Sequence, residues 1–304
     1  MDINNKKKFA ASLSIVSNIF LTLLKIAAGV VSGSLSIISE AVHSVSDFFA
    51  SIITFFSVIK SSKPADDDHP YGHGKYEDMA GFIEGVLIIL AAFFIIYKSS
   101  KKIIYGVQPE IENNVGIAVM AAAACLNFIV SNVLFKISKE SNSISLYADG
   151  QHLRTDVYSS LGVLFGLVLI KITGYYVLDP IIAILVAVFI YRMGYSISKQ
   201  SYMNLLDHSL PDSDLVKIEY IINKFSDIAK LKKHGIKARK AGPSIDIDVI
   251  LQFPAETSIC DCHKICDKIE KEIGKAFINS SISIHSEPIC YQTNCEECKN
   301  TNSR

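Results

Sequence analysis

Several features that would mark common classes of protein are absent from this sequence. Its 304 residues carry no excess charge, with 30 basic against 30 acidic residues, whereas a nucleic-acid partner requires a clustered basic surface. No His-Glu-x-x-His motif or equivalent pairing of nucleophile and base is present, which argues against a membrane protease. The glycines of Gly72-x-Gly74 follow no strand, so neither a nucleotide nor a redox cofactor is indicated.

Charge is also scarce, at 20% of residues, while hydrophobic residues make up 50%. That composition is too apolar for an average soluble enzyme. Six apolar stretches are each long enough to cross a hydrocarbon core, which takes roughly 20 helical residues. They lie near residues 9–32, 35–59, 79–105, 113–136, 146–172 and 177–198. The sequence therefore predicts a six-helix transmembrane domain over residues 1–207, with a cytoplasmic loop at 60–78.

The basic residues beside the helix ends predict the orientation, because basic flanks are retained in the cytoplasm. With the N-terminus inside, ten basic residues flank the cytoplasmic ends and four flank the other side. The ten are Lys6, Lys7, Lys8, Lys60, Lys63, Lys75, Lys136, Lys139, Arg192 and Lys199; the four are Lys98, Lys101, Lys102 and Lys171. We expect a multi-pass protein of the cell membrane with both termini in the cytoplasm, although the lysines at 98–102 run against the trend.

After residue 208 the pattern becomes that of a small soluble domain. Pro211-Asp212-Ser213 begins a helix of about 15 residues, and a second amphipathic helix fits Ser258–Phe277. Alternation predicts strands at 245–251 and 281–285, with a further strand near 236–238. We therefore expect a cytosolic α/β domain over residues 208–290, followed by a cysteine-containing tail at 291–304.

Two pairs of polar residues within the apolar helices carry the chemistry. His43 and Asp47 are four residues apart in the second helix, as are His152 and Asp156 in the fifth, so each pair lies on one helix face. Ionisable groups in hydrocarbon are costly and usually functional. Together the pairs offer two imidazoles and two carboxylates, which suit tetrahedral Zn²⁺. The alternative is a satisfied polar contact between helices, which the repetition of the pattern disfavours.

These residues make the chain resemble the cation diffusion facilitator family of divalent-metal/proton antiporters. The resemblance rests on the double His-x-x-x-Asp pattern, on the segment Ala148–Asp156 (ADGQHLRTD) and on the loop Asp66–Glu77 (DDDHPYGHGKYE). It covers roughly residues 9–290, with the same order of six helices, loop and C-terminal domain. It implies a homodimer in the lipid bilayer that exports zinc or a related metal in exchange for protons. The resemblance also implies that the C-terminal domain is ferredoxin-like, that is, metallochaperone-like.

The resemblance further implies roles for several groups of residues. The transport site is His43, Asp47, His152 and Asp156; a loop site is Asp66, His69 and His73; and Lys75 and Asp207 form a charge pair. Regulatory zinc in the cytosolic domain is bound by His234, Asp248, His263, His285 and Glu287. Each group has a plainer alternative: cation-attracting loop acids, exposed histidines or unrelated surface charges. The spacing before Asp248 and the glutamate at 287 both depart from the family pattern.

Cysteines cluster at the C-terminal end, where a cytoplasmic location favours metal ligation over disulfides. A thiolate site is predicted from Cys260, Cys262, Cys290, Cys295 and Cys298, against the alternative of a disordered polar end.

The predicted function is proton-coupled efflux of Zn²⁺, which serves as substrate and as regulatory ligand, with no organic cofactor. Efflux of Fe²⁺, Co²⁺, Ni²⁺, Cd²⁺ or Mn²⁺ is the nearest alternative, and a membrane metal sensor is a more distant one.

Overall fold

Six long helices follow the six apolar stretches in a computed structural model, which describes residues 3–32, 35–106, 114–173 and 178–289. They are α1 (Ile3–Ser32), α2 (Leu35–Ser61), α3 (Lys75–Tyr105), α4 (Asn114–Ser141), α5 (Ile144–Thr173) and α6 (Leu178–Leu205). The shortest has 27 residues, which at a rise of about 1.5 Å per residue exceeds the roughly 30 Å hydrocarbon core.

Four membrane spans are recognisable by length and hydropathy in the part of the chain that the structure describes. They are Ile3–Ala28, Lys75–Tyr105, Ala121–Ser141 and Pro180–Leu205. The other two long helices, α2 and α5, are those that carry the predicted ligand pairs. In α5, Asp149, Arg154 and Asp156 fall within two turns, which lowers the hydropathy of its described part.

The α5 helix lies between two apolar clusters of the helical unit, which spans Met1–Leu206. Its Leu146 and Leu153 pack with residues of α1, α2 and α4, including Val58 and Leu134. Ala148, on another face, packs with residues of α3 and α6. Because both sides of α5 are covered, Asp149 and His152 are buried inside the helical unit.

Helices α3 and α6 approach each other through glycine. A Cβ atom on Gly85 would lie 2.8 Å from the backbone nitrogen of Ser198 and 3.0 Å from the carbonyl oxygen of Gly194. Small residues allow two membrane helices to pack backbone against backbone. The contact therefore depends on the missing side chain at position 85.

The second compact unit, Asp207–Arg304, is an α/β domain over its described residues. Its elements are α7 (Asp212–Asn223), β1 (Lys230–Ala241), β2 (Ser244–Phe253), α8 (Ile259–Ala276) and β3 (Ser280–Pro288). The sheet order is β1-β2-β3, with β1 antiparallel and β3 parallel to β2. Along the chain the elements follow the order α-β-β-α-β, which is that of the last five elements of a β-α-β-β-α-β arrangement.

The helices cover one face of this sheet. Ile218 and Ile222 of α7, Ile269 of α8, and Ile247 and Val249 of β2 all belong to one buried cluster. The opposite face carries the alternate residues of β2 and β3, so side chains there remain outside the core.

The predicted strand near 236–238 is part of β1, which is much longer at 12 residues. The elements of this unit therefore follow one another as α-β-β-α-β along the chain. Its alternation is hidden in the sequence because the register shifts between Leu231 and Ile236. Within that bulge His234 has a φ of 58°, in the left-handed region. A period-two pattern cannot be read across such an irregularity.

Candidate metal centre

Helices α2 and α5 bring three predicted ligands together inside the helical unit. Ligand atoms of Asp47, His152 and Asp156 all lie within 4.8 Å of one another. His152 Nε2 is 3.1 Å from Asp47 Oδ1, and both side chains are buried. Ligand atoms around a tetrahedral Zn²⁺ are about 3.3–3.6 Å apart, given bond lengths of about 2.0–2.2 Å. A small contraction would therefore let the three residues coordinate one ion.

The fourth predicted ligand, His43, belongs to α2 and precedes Asp47 by about one turn. Its side chain lies outside the described residues. The helical spacing of four residues places it on the same face of α2 as Asp47.

Helix α4 contributes a neighbour that sequence reasoning missed. Asn127 Nδ2 donates a hydrogen bond of 3.4 Å to Asp156 Oδ2, and Asn127 is 5% exposed. Outer partners of this kind orient a metal-binding carboxylate. A polar amide within an apolar stretch was the available signal.

Further carboxylates are buried along the same helices, and none of them was singled out from the sequence. Glu84 of α3 and Asp149 of α5 are fully buried. Glu77, at the start of α3, is also fully buried and accepts hydrogen bonds from Lys7, Ser61 and Ser143. A charged residue in or beside an apolar stretch is the sequence signal for all three.

The loop between α2 and α3 gathers the second predicted set. Ligand atoms of Asp66, His69 and His73 lie within 4.8 Å of one another, with an Asp66 carboxylate oxygen 3.4 Å from a ring nitrogen of each histidine. His73 Nδ1 donates to the carbonyl oxygen of Pro64 at 3.2 Å, so Nε2 faces Asp66. Fixing the tautomer in this way prepares an imidazole for a metal.

The carboxyl group of Asp66 is kept ionised by its own loop. The backbone N–H of His69 donates to Asp66 Oδ1 at 2.8 Å, and this bond holds the pKa of Asp66 below its usual value. A carboxylate that stays ionised is ready to bind a cation.

The five predicted ligands of the cytosolic domain are spread over its surface. In the described part of one chain they form no cluster of three ligand atoms. Asp248 of β2 and His285 of β3 share the open face of the sheet. Glu287 forms an ion pair with Lys232 at 3.0 Å, His263 of α8 lies 3.7 Å from Asp267, and His234 lies in the bulge of β1. A shared site between two chains stays a prediction.

The predicted thiolate site is only partly described. Cys260 and Cys262 lie in the first turn of α8, the former exposed, while Cys290, Cys295 and Cys298 lie outside the described residues. Cys266 instead belongs to the domain core, where burial raises the pKa of its thiol.

Lys75 and Asp207 fall in different compact units, and their predicted charge pair stays a prediction. Within its own unit, Lys75 Nζ lies 3.4 Å from the carbonyl oxygen of Leu205. The carboxylate of Asp207 is 2.9 Å from Arg239 Nη1.

Comparison with protein families matches both units. The model of the cation efflux transmembrane domain matches residues 11–206, and that of the cation efflux protein cytoplasmic domain matches residues 210–289.

Individual relatives agree over nearly the full chain. An uncharacterised transporter of Methanocaldococcus jannaschii is 35% identical over 83% of this chain and 88% of its own. One of Synechocystis is 33% identical over 92% of this chain and 89% of its own. The cation-efflux pump FieF of Shewanella oneidensis is 28% identical over 93% and 94% respectively.

Proposed function

Because the chain belongs to the cation diffusion facilitator family of cation efflux transporters, we propose that it exports a divalent metal, preferentially Zn²⁺, in exchange for protons. The observation that carries the proposal is the convergence of Asp47, His152 and Asp156 from α2 and α5 inside the helical unit. With His43, one turn before Asp47, the set contains two imidazoles. Imidazole favours zinc over the harder manganese and magnesium ions.

Proton exchange follows from the ligand chemistry. A metal binds neutral imidazoles and ionised carboxylates, so its binding expels protons, and protonation of the same groups expels the metal. Histidine titrates near neutral pH, which places the exchange in the physiological range. The site faces the cytoplasm when it takes up metal and the outside when it takes up protons.

The proposed arrangement in the membrane has six spanning helices and both termini in the cytoplasm. Support comes from the length of α1 to α6 and from the ten basic residues at the cytoplasmic flanks. The transmembrane domain then covers residues 1–207, the ferredoxin-like cytosolic domain 208–290 and the tail 291–304. The family's cytoplasmic domain supports dimer formation, and we propose that zinc binding draws the paired domains together.

The loop site is proposed to capture metal at the cytoplasmic entrance. Asp66 and His69 are exposed while His73 is buried, so the cluster is anchored on one side and open on the other. Because solvent reaches this cluster, an ion held there would be released more easily than one bound between α2 and α5.

The decisive experiment is metal flux into proteoliposomes with an imposed pH gradient, run metal by metal on the full chain. We expect His152→Ala to abolish zinc flux and the coupled change in lumenal pH. His208→Ala, which removes an exposed histidine, is the matched control and should transport normally. His43→Asp should shift the preference from zinc toward manganese.

Full-rate zinc flux in His152→Ala protein would show that this site is not the transport site. Zinc movement by the wild type that leaves the lumenal pH unchanged would contradict proton exchange.

A further inference from the structure

Glu84 of α3 and Asp149 of α5 are buried carboxylates outside the proposed transport site. Both are 0% exposed. Glu84 Oε2 and both oxygens of Asp149 are buried without a hydrogen-bond partner, so no direct hydrogen bond joins the two carboxyl groups. Burying an ionised carboxylate without a partner is costly. Their placement therefore calls for a ligand.

Neighbouring helices place the two groups at one level of the bundle. Ile88, one turn after Glu84, packs in the same apolar cluster as Ala148, the residue before Asp149. Helices α3 and α5 are also in direct contact. The two carboxyl groups therefore face a common region between α3 and α5.

Hydroxyl oxygens from α1 and α2 line the same region. Thr54 donates a hydrogen bond to Glu84 Oε1, and the hydroxyls of Ser14 and Ser51 lie 3.1 Å apart between α1 and α2, near Asp149. Every one of these groups offers oxygen. The set lacks imidazole and thiolate, unlike the pairing of His152 with Asp47 and Asp156.

The region continues directly from the proposed transport site. Asp47, Ser51 and Thr54 recur at intervals of four and three residues on α2, and so share one helix face. On α5, Asp149 precedes His152 by about one turn. A cation moving from the cytoplasmic end of this face toward the transport site would meet the two buried carboxylates first.

Among the described residues of the bundle, the one buried lysine is already paired elsewhere. Lys7 of α1 pairs with Glu77, and both are nearly or fully buried. Glu77 lies two turns before Glu84 on α3, toward the loop end of the helix. Lys7 therefore does not neutralise Glu84 or Asp149, and a bound cation can supply that charge.

We propose that Glu84 and Asp149 bind a second divalent cation, with hydroxyl oxygens of Ser14, Ser51 and Thr54 as further ligands. This inference rests on the proposed transport of a divalent metal. The all-oxygen set suits harder ions than the imidazole-containing site does. The second site is a station for the transported ion between the loop end of α3 and the Asp47/His152/Asp156 site.

Mn²⁺ bound to the purified full chain tests the proposal by pulsed electron paramagnetic resonance. Mn²⁺ ligated by histidine shows nitrogen hyperfine coupling, whereas Mn²⁺ at Glu84 and Asp149 should form a population without it. We expect this nitrogen-free population in the wild type and in Asp156→Asn. We expect Glu84→Gln and Asp149→Asn, each of which removes a proposed direct ligand, to lose the nitrogen-free population. Their Mn²⁺ affinity should fall by at least about tenfold, since even the outer partners of metal ligands contribute about 10- to 100-fold.

Glutamine at 84 retains the oxygen that accepts from Thr54, so Glu84→Gln is expected to fold, and its thermal unfolding should match the wild type. Glu140→Gln, which removes an exposed carboxylate at the end of α4, is the matched control and should leave the population intact. A wild type without nitrogen-free Mn²⁺, or an unchanged population in both Glu84→Gln and Asp149→Asn, would overturn the proposal. Zinc flux is measured on the same wild-type preparation. If zinc flux is normal while the second site fails this test, only the second site is wrong and the proposed function stands.

Discussion

At the proposed metal centre, a neighbouring residue orients one of the predicted ligands. Asp156 is only partly buried and receives a hydrogen bond from Asn127 across the α4–α5 contact. In the proposed cycle Asp156 takes up a metal and later a proton, and a fixed orientation favours both states. The amide of Asn127 can donate to the carboxylate without carrying a charge that would compete with the metal.

Replacing Asn127 with leucine keeps the number and branching of the side-chain heavy atoms but removes the donor. We expect Asn127→Leu to raise the KM for zinc flux about tenfold, since outer partners of metal ligands contribute about 10- to 100-fold in affinity. Ser131→Ala is a suitable control, because that buried hydroxyl donates to the carbonyl oxygen of Phe128 in its own helix. An unchanged KM in Asn127→Leu would show that Asp156 needs no support from α4.

Spacing in the sequence was sufficient to predict that Asp47, His152 and Asp156 lie together, because two polar residues four positions apart share one helix face. Asn127 and Glu84 show no such spacing. Each is one polar residue in an apolar stretch, and its partner lies on another helix. The cost of burial marks such residues for attention, but only the packing of α3, α4 and α5 shows what they contact.

Among the helices and strands, the regular elements could be predicted from the sequence, whereas only part of the irregular strand β1 could. The apolar stretches predicted α1 to α6, and Ser258 caps α8 where the sequence placed its start, accepting from the backbone N–H of Asp261 at 3.1 Å. Strand β1 was predicted only near 236–238, because its bulge breaks the alternation and its exposed positions are rich in lysine. The close contact of α3 with α6 was likewise invisible, since a single glycine in an apolar helix has no distinctive pattern.

This contact leads to a prediction for Gly85. In Gly85→Ala the new methyl group would meet the backbone of Ser198 at 2.8 Å, so α3 and α6 must separate. We expect the free energy of unfolding to fall by roughly 1–3 kcal/mol, as for overpacking elsewhere, with a lower unfolding temperature in detergent. Differential scanning fluorimetry on the purified protein measures it.

Gly274→Ala provides the contrast for that experiment. A Cβ atom there would lie 3.9 Å from Ile282 Cδ1, an ordinary contact, and alanine stabilises a helix by roughly 0.5–1 kcal/mol over glycine. Equal thermal stability of Gly85→Ala and the wild type would contradict the direct backbone contact of α3 with α6.

For the whole molecule, the chain divides into a helical unit and an α/β unit, to which we assign the proposed transport and the proposed zinc response respectively. The two units end and begin at Leu206 and Asp207, and the family models divide the chain at nearly the same place. The α/β unit exposes His263 on α8 and His285 on β3, on different sides of its sheet. In the described part of one chain these predicted ligands form no cluster, so the proposed regulatory site is one that two copies share.

Zinc should therefore change the distance between the two cytosolic domains of a dimer. With donor and acceptor fluorophores on the two domains, we expect energy transfer to rise on zinc titration, because zinc stabilises the state in which ligands from both copies meet. The paired variant His263→Ala/His285→Ala should abolish the rise, while His208→Ala should preserve it. Because the paired variant lacks two of the proposed zinc ligands, its cytosolic domains should also bind zinc more weakly. If energy transfer stays constant across the titration in the wild type, zinc does not couple the domains, and the exposed histidines serve no regulatory site.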